Sequence, residues 1–113
     1  MNDIAYYNGK ITAIEDASVP LNDRAMFFGD GVYDATIAAN HVIFEPEFHL
    51  ERFFSSLEKV KIKTELTYAK LLGELQKCVN LADSSGPLFV YWQVTRGTAL
   101  RNFTFPDAKP NLI

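Results

Sequence analysis

The stretch "LFVYWQV", residues 88–94, decides the fold. It is a short, nearly unbroken apolar run, rich in β-branched and aromatic residues, set off by Gly86-Pro87 on one side and "TRGT" on the other. Seven residues are too few for a buried helix, so the run reads as a strand, and its continuous hydrophobicity predicts a central strand covered on both faces. Its far end delivers Arg96 and, after a Gly-Thr kink, Arg101, two permanent cations in a chain of net charge −3.

The segments before this strand have a different period. Leu50, Phe53, Phe54, Leu57 and Val60 recur every three or four residues, one face of a helix whose first turn suits Pro46. "KIKTE" breaks that helix. Thr67 then caps a second, with Tyr68, Leu71, Leu72, Leu75, Val79 and Ala82 on one stripe, ended by "DSSGP" at 83–87. Nearer the N-terminus, "IAYYNGKITAI" folds about Asn8-Gly9 as a tight hairpin, because that dipeptide tolerates positive φ at both turn positions. "SVPLNDRAMFFGDG", 18–31, reads as connection. "VYDATIAANHVIF" gives a second hairpin, Val32–Ala38 and Val42–Phe44, turning at Asn40-His41. Strand pairs, two helices and further strands predict an α+β domain, a mostly antiparallel sheet with two helices packed on it.

Bulk properties narrow the function. The 113 residues suffice for one domain with a real core, and 48% hydrophobic content argues against disorder. No basic stripe suits a nucleic acid, and no apolar run approaches the ~20 residues of a membrane span. Cys78 stands alone, and one thiol with two histidines makes no zinc site. A lone thiol with no possible internal disulfide fits the reducing cytoplasm by default, and "MNDIAYYNGK" shows no basic-then-apolar signal-peptide pattern. At the other end, Lys109-Pro110-Asn111 reads as a turn and Leu112-Ile113 as the start of a strand, either a chain that continues or a short terminal edge strand.

Four side-chain groups could carry chemistry. Arg52 lies roughly opposite the apolar stripe of its helix, so it is either part of a solvated face or an arginine offered to a phosphate outside the domain. "FFGDGVYD", 27–34, lacks the third glycine and the following helix of a dinucleotide loop, which leaves its glycines as turn residues. Tyr33, second on its strand, is either an anion donor or an amphipathic residue at the rim of the core. Arg101, among Asn102, Phe103 and Phe105, suits bidentate carboxylate recognition or is a plain loop arginine. Arg96 reads as a structural, exposed ion pair worth under ~1 kcal/mol. Serine, histidine and aspartate show no triad spacing, and none of the seven lysines looks desolvated enough to form an imine near pH 7.

Taken together, "GDGVYDATIAANHVIFEPEFHLERFFSSLEKVKI" followed by "YWQVTRGTALR" resembles the class IV (fold-type IV) pyridoxal-phosphate enzymes, nearest the D-amino-acid aminotransferases. The resemblance runs over essentially the whole chain. "GDGVY" and "HLERF" mark the superfamily, and "QVTRGT" with a second arginine downstream leans toward the D-amino-acid branch. It implies that residues 1–113 form the single small N-terminal domain of a longer enzyme, whose C-terminal domain, absent here, carries the Schiff-base lysine and the acidic partner of the pyridine nitrogen. It implies a homodimer holding pyridoxal 5'-phosphate, with amino acids and 2-oxo acids as substrates. Arg52 would hold the cofactor phosphate; Tyr33 and Arg101 would grip the substrate α-carboxylate, Arg101 in the partner subunit's site. No catalytic residue falls within this chain, and alone it would be inactive. The D-amino-acid branch often has a histidine where this chain has Phe103, which removes a donor from the carboxylate trap. A 4-amino-4-deoxychorismate lyase or a branched-chain aminotransferase shares the scaffold. A small anion-binding or dimerising module without catalysis is the alternative of another class.

Overall fold

The computed structural model describes residues 2–83 and 86–113; Ser84 and Ser85 of the helix-ending "DSSGP" lie outside the described residues. Two strands, β1 (Ile4–Tyr7) and β2 (Lys10–Ala13), form the expected hairpin, with Asn8 at φ 46° and Gly9 at φ 97° in its turn. A 3-10 turn at Ile14–Asp16 follows. The main sheet is built from β3 (Gly31–Ala39), β4 (Val42–Ile43), β5 (Leu88–Thr95) and β6 (Asn111–Leu112), in the order β4-β3-β5-β6, and every pairing is antiparallel. Asn40 and His41, at φ 50° and 64°, turn β3 into β4. The α+β reading is therefore correct, and Asn111 starts β6 rather than belonging to the turn before it.

Helix α2 (Pro46–Lys59) begins with Pro46 in its first turn, and α3 (Tyr68–Leu81) is capped by the Thr67 hydroxyl, which accepts from the Lys70 amide at 3.2 Å. Both lie on one face of the sheet. Leu50, Phe53 and Leu57 of α2, and Leu71, Leu75 and Val79 of α3, meet Ala38, Val90, Trp92 and Val94 in a single core. Each such large side chain contributes roughly 1.5–3 kcal/mol by leaving water. Val60, assigned to the α2 stripe, is 41% exposed because it is the helix's C-cap; Ile62, two residues on, enters the core instead.

Two expectations fail. β5 is covered on one face only: Val90, Trp92 and Val94 point to the helices, while Phe89 (76% exposed) and Tyr91 face outward with Tyr33 and Ile37. The outward side chains are as apolar as the inward ones, so the usual alternation is invisible in the sequence. The 18–31 connection contains a helix, α1 (Arg24–Phe28), bracketed by Asp23, whose side chain accepts from the Ala25 amide, and by Gly29 at φ 59°. That cap-to-glycine spacing was the readable signal.

Candidate functional site around the start of strand β3

Asp34 points from β3 toward the helices and is 5% exposed. A buried carboxylate needs partners. Arg52, in the second turn of α2, supplies a bidentate pair, Nε to Oδ2 at 2.9 Å and Nη2 to Oδ1 at 2.8 Å. His49, on the same helix face, places Nδ1 3.0 Å from Oδ1. Burial alone would raise the Asp34 carboxyl, but hydrogen bonds from Arg52, His49 and the Ala35 amide outweigh it and carry it down to about 2. In return, the Asp34 hydrogen bond holds the Arg52 guanidinium above its ordinary range, with a smaller contribution from Tyr33. The Arg52 side chain stays 54% exposed, lies over the Phe48 ring at 5.0 Å, and makes no hydrogen bond through Nη1 to a described residue. One edge of the guanidinium is thus fixed, and the other is presented outward, as the helix geometry predicts.

Tyr33 is on the opposite face of the same strand end, 67% exposed, with its ring stacked on Tyr91 at 5.5 Å. Arg101 lies in the irregular segment between β5 and β6. Its guanidinium sits over Phe28 at 5.3 Å and Phe103 at 5.1 Å, with Phe27 at 6.0 Å, and it forms no salt bridge with a described carboxylate. The fold therefore gathers Arg52 and Tyr33 at the start of β3, while Arg101's described ring contacts are with α1 and its own loop. A groove of about 630 Å³ between β1, α3 and the far edge of β5 includes none of the three.

Arg96 is not an exposed pair. It is 7% exposed, donates from Nε to Asp30 Oδ2 at 2.8 Å and to the carbonyls of Lys61 and Val60 at 3.1 and 2.8 Å, and stacks on Phe105 at 3.6 Å. The same Asp30 oxygen accepts from Arg24 Nε at 2.7 Å. Burial pushes the Asp30 carboxyl up, but the hydrogen bonds from Arg96 and Arg24 win and hold it below the usual range. A second buried polar cluster centres on Asp23 (1% exposed), whose Oδ2 accepts from Thr95 Oγ1 at 3.0 Å and from Asn111 Nδ2 at 2.9 Å. Asp34, His49, Arg24, Asp30 and Asp23 are not among the residues that the sequence pattern singles out for chemistry. Besides the capping pattern of Asp23, Asp34 and His49 carry a local signal: a lone acid in an apolar strand, and a histidine three residues from the arginine.

No protein-family model matches the chain. In sequence it is 34% identical, over 103 residues, to a D-alanine aminotransferase of Staphylococcus epidermidis, an alignment covering 89% of this chain and 36% of that protein. In structure it superimposes on the 4-amino-4-deoxychorismate lyase of Pseudomonas aeruginosa with a TM-score of 0.76 and 27% identity, covering 95% of this chain and 37% of that one. It superimposes on the branched-chain aminotransferase of the thermophilic archaeon Thermoproteus uzoniensis, solved with norvaline, with a TM-score of 0.83 and 15% identity, over 96% of this chain and 38% of that one. The architecture is that of the small N-terminal domain of the fold-type IV aminotransferases. By sequence the chain is similar to the D-alanine aminotransferases, and it spans well under half the length of the relatives it matches.

Proposed function

We propose that this chain is the small domain of a cytoplasmic, homodimeric, pyridoxal-phosphate-dependent aminotransferase that moves the amino group of a D-amino acid to a 2-oxo acid. When bound, pyridoxal phosphate supplies the electron sink for that exchange; the protein supplies position and charge. Arg52 fits the phosphate because Asp34 fixes one edge of its guanidinium while the other is open to an anion. Tyr33 and Arg101 receive the substrate α-carboxylate, Arg101 in the partner subunit's site.

The observation that carries the reading is Arg101: a guanidinium in contact with three aromatic rings and in no salt bridge with a described carboxylate. Such a cation is set to take a carboxylate from outside. In the assembled enzyme, Arg101→Ala is expected to raise KM for the amino acid and lower kcat/KM by about 2–4 kcal/mol; an unchanged KM contradicts the assignment. The chain by itself is expected to show no transaminase activity and no borohydride-reducible pyridoxal adduct at a specific lysine.

The 27% identity with a 4-amino-4-deoxychorismate lyase supports a second reading, a lyase on the same scaffold. Turnover of an amino substrate without any 2-oxo acid acceptor would mark the lyase, and strict dependence on an acceptor the aminotransferase.

A further inference from the structure

The segment from Thr98 to Lys109 has no regular secondary structure apart from a single bridge between Thr98 and Asp23. Its start is held by backbone hydrogen bonds from Arg24 N to Gly97 O and from Ala99 N to Asn22 O. Its tip is another matter. Leu100 and Phe103 are 87% and 78% exposed, and burial contributes little to their order. Among the described residues, the hydrogen bonds that reach 100–105 from outside the segment come from one side chain: Arg24 Nη1 donates to Asn102 O at 2.8 Å and to Thr104 O at 3.4 Å.

Arg24 is 4% exposed and tied by Nε to Asp30 at 2.7 Å. Asp30 also holds Arg96, whose guanidinium carries the Phe105 ring at the other end of the tip. The Phe28 ring, 4.6 Å from the Arg24 guanidinium, also contacts Arg101 at 5.3 Å and Phe103 at 6.1 Å. A carboxylate flanked by two buried guanidiniums leaves one positive charge over. Backbone carbonyls of the tip absorb much of it, a charge-assisted arrangement stronger than neutral hydrogen bonds.

We propose that Arg24, anchored by Asp30, is the positioning residue for Arg101: it fixes the backbone on both sides of Phe103 and, through Phe28, sets where the Arg101 guanidinium lies. Arg24 does not touch substrate in this scheme. The inference rests on the carboxylate role proposed for Arg101 and adds the residue that makes the role geometrically possible. Misplacing a recognition group by about 1 Å is enough to cost up to 100-fold.

The test uses the assembled enzyme with the variants Arg24→Lys and Phe28→Leu; the second leaves the Arg24–Asp30 pair in place and serves if the first does not fold. Both are expected to raise KM for the amino acid roughly 10- to 100-fold with kcat much less changed. Turnover of an amine donor lacking the carboxylate, and bound-cofactor absorbance, are expected to be unchanged. Backbone amides of 100–105 are expected to exchange with deuterium faster in Arg24→Lys. A KM unchanged in both variants, while Arg101→Ala raises it, overturns the positioning role and leaves the carboxylate reading intact. If Arg101→Ala itself leaves KM unchanged, the carboxylate reading fails; amide exchange then decides whether Arg24 orders the tip, and unaltered exchange overturns that too. Equal losses on the amine and amino-acid donors would show a structural effect only, and would also overturn it.

Discussion

Arg52 and Arg96 look alike in the sequence, each a lone guanidinium near an apolar element, yet the structure gives them opposite fates. Arg96 is consumed by Asp30 and two carbonyls, whereas Arg52 shares Asp34 with His49 and keeps an open edge. Asp34 makes the difference measurable. Its folded value of about 2 lies below the ordinary 3.8, so its charged form adds stability above pH 3.8, and that stability is lost as pH falls toward 2. Asp30, also depressed, contributes in the same direction. Unfolding midpoints in urea should therefore drop between about pH 4 and pH 2 more steeply for the natural chain than for Asp34→Asn; parallel curves would contradict the pairing.

At the scale of elements, periodicity located α2 and α3 and turn chemistry located both hairpins, because helix spacing, the Thr67 cap and the Asn8-Gly9 turn act over a few neighbouring residues. Helix α1 was passed over because five residues carry too little periodicity to register, although Asp23 and Gly29 bracket it. The loop beyond β5 depends on close approach. At Gly97, φ is 124°, and an added Cβ would fall 2.5 Å from the Lys109 carbonyl oxygen and 2.9 Å from Ala108 Cβ. Gly97→Ala should cost about 1–3 kcal/mol or more. Gly73, exposed on α3 with nothing near its missing Cβ, is the control: Gly73→Ala should stabilise by about 0.5–1 kcal/mol. Thermal midpoints moving the same way in both variants would refute this account of the loop.

The whole molecule has an uneven surface. The outer face of the sheet shows Tyr33, Ile37, Phe89 and Tyr91, an apolar patch on one side of a domain whose other side is sealed by helices. Such a patch favours association, so the isolated chain should self-associate, and Phe89→Lys should weaken that association in sedimentation velocity while leaving the thermal midpoint nearly unchanged. An association constant untouched by the lysine would move the contact elsewhere. Among the described residues no helix is long and apolar enough to cross a membrane. The sequence by itself determined most of the element types and their ends, and the outward placement of Arg52, since each follows from local periodicity, caps and turns. It could not show which face of β5 is bare, which arginine is neutralised, or what orders the Arg101 tip. Those outcomes join residues far apart in the chain, such as Arg24 to Asn102 and Asp30 to Arg96, and only the packing of helices on a sheet brings such groups within hydrogen-bonding distance.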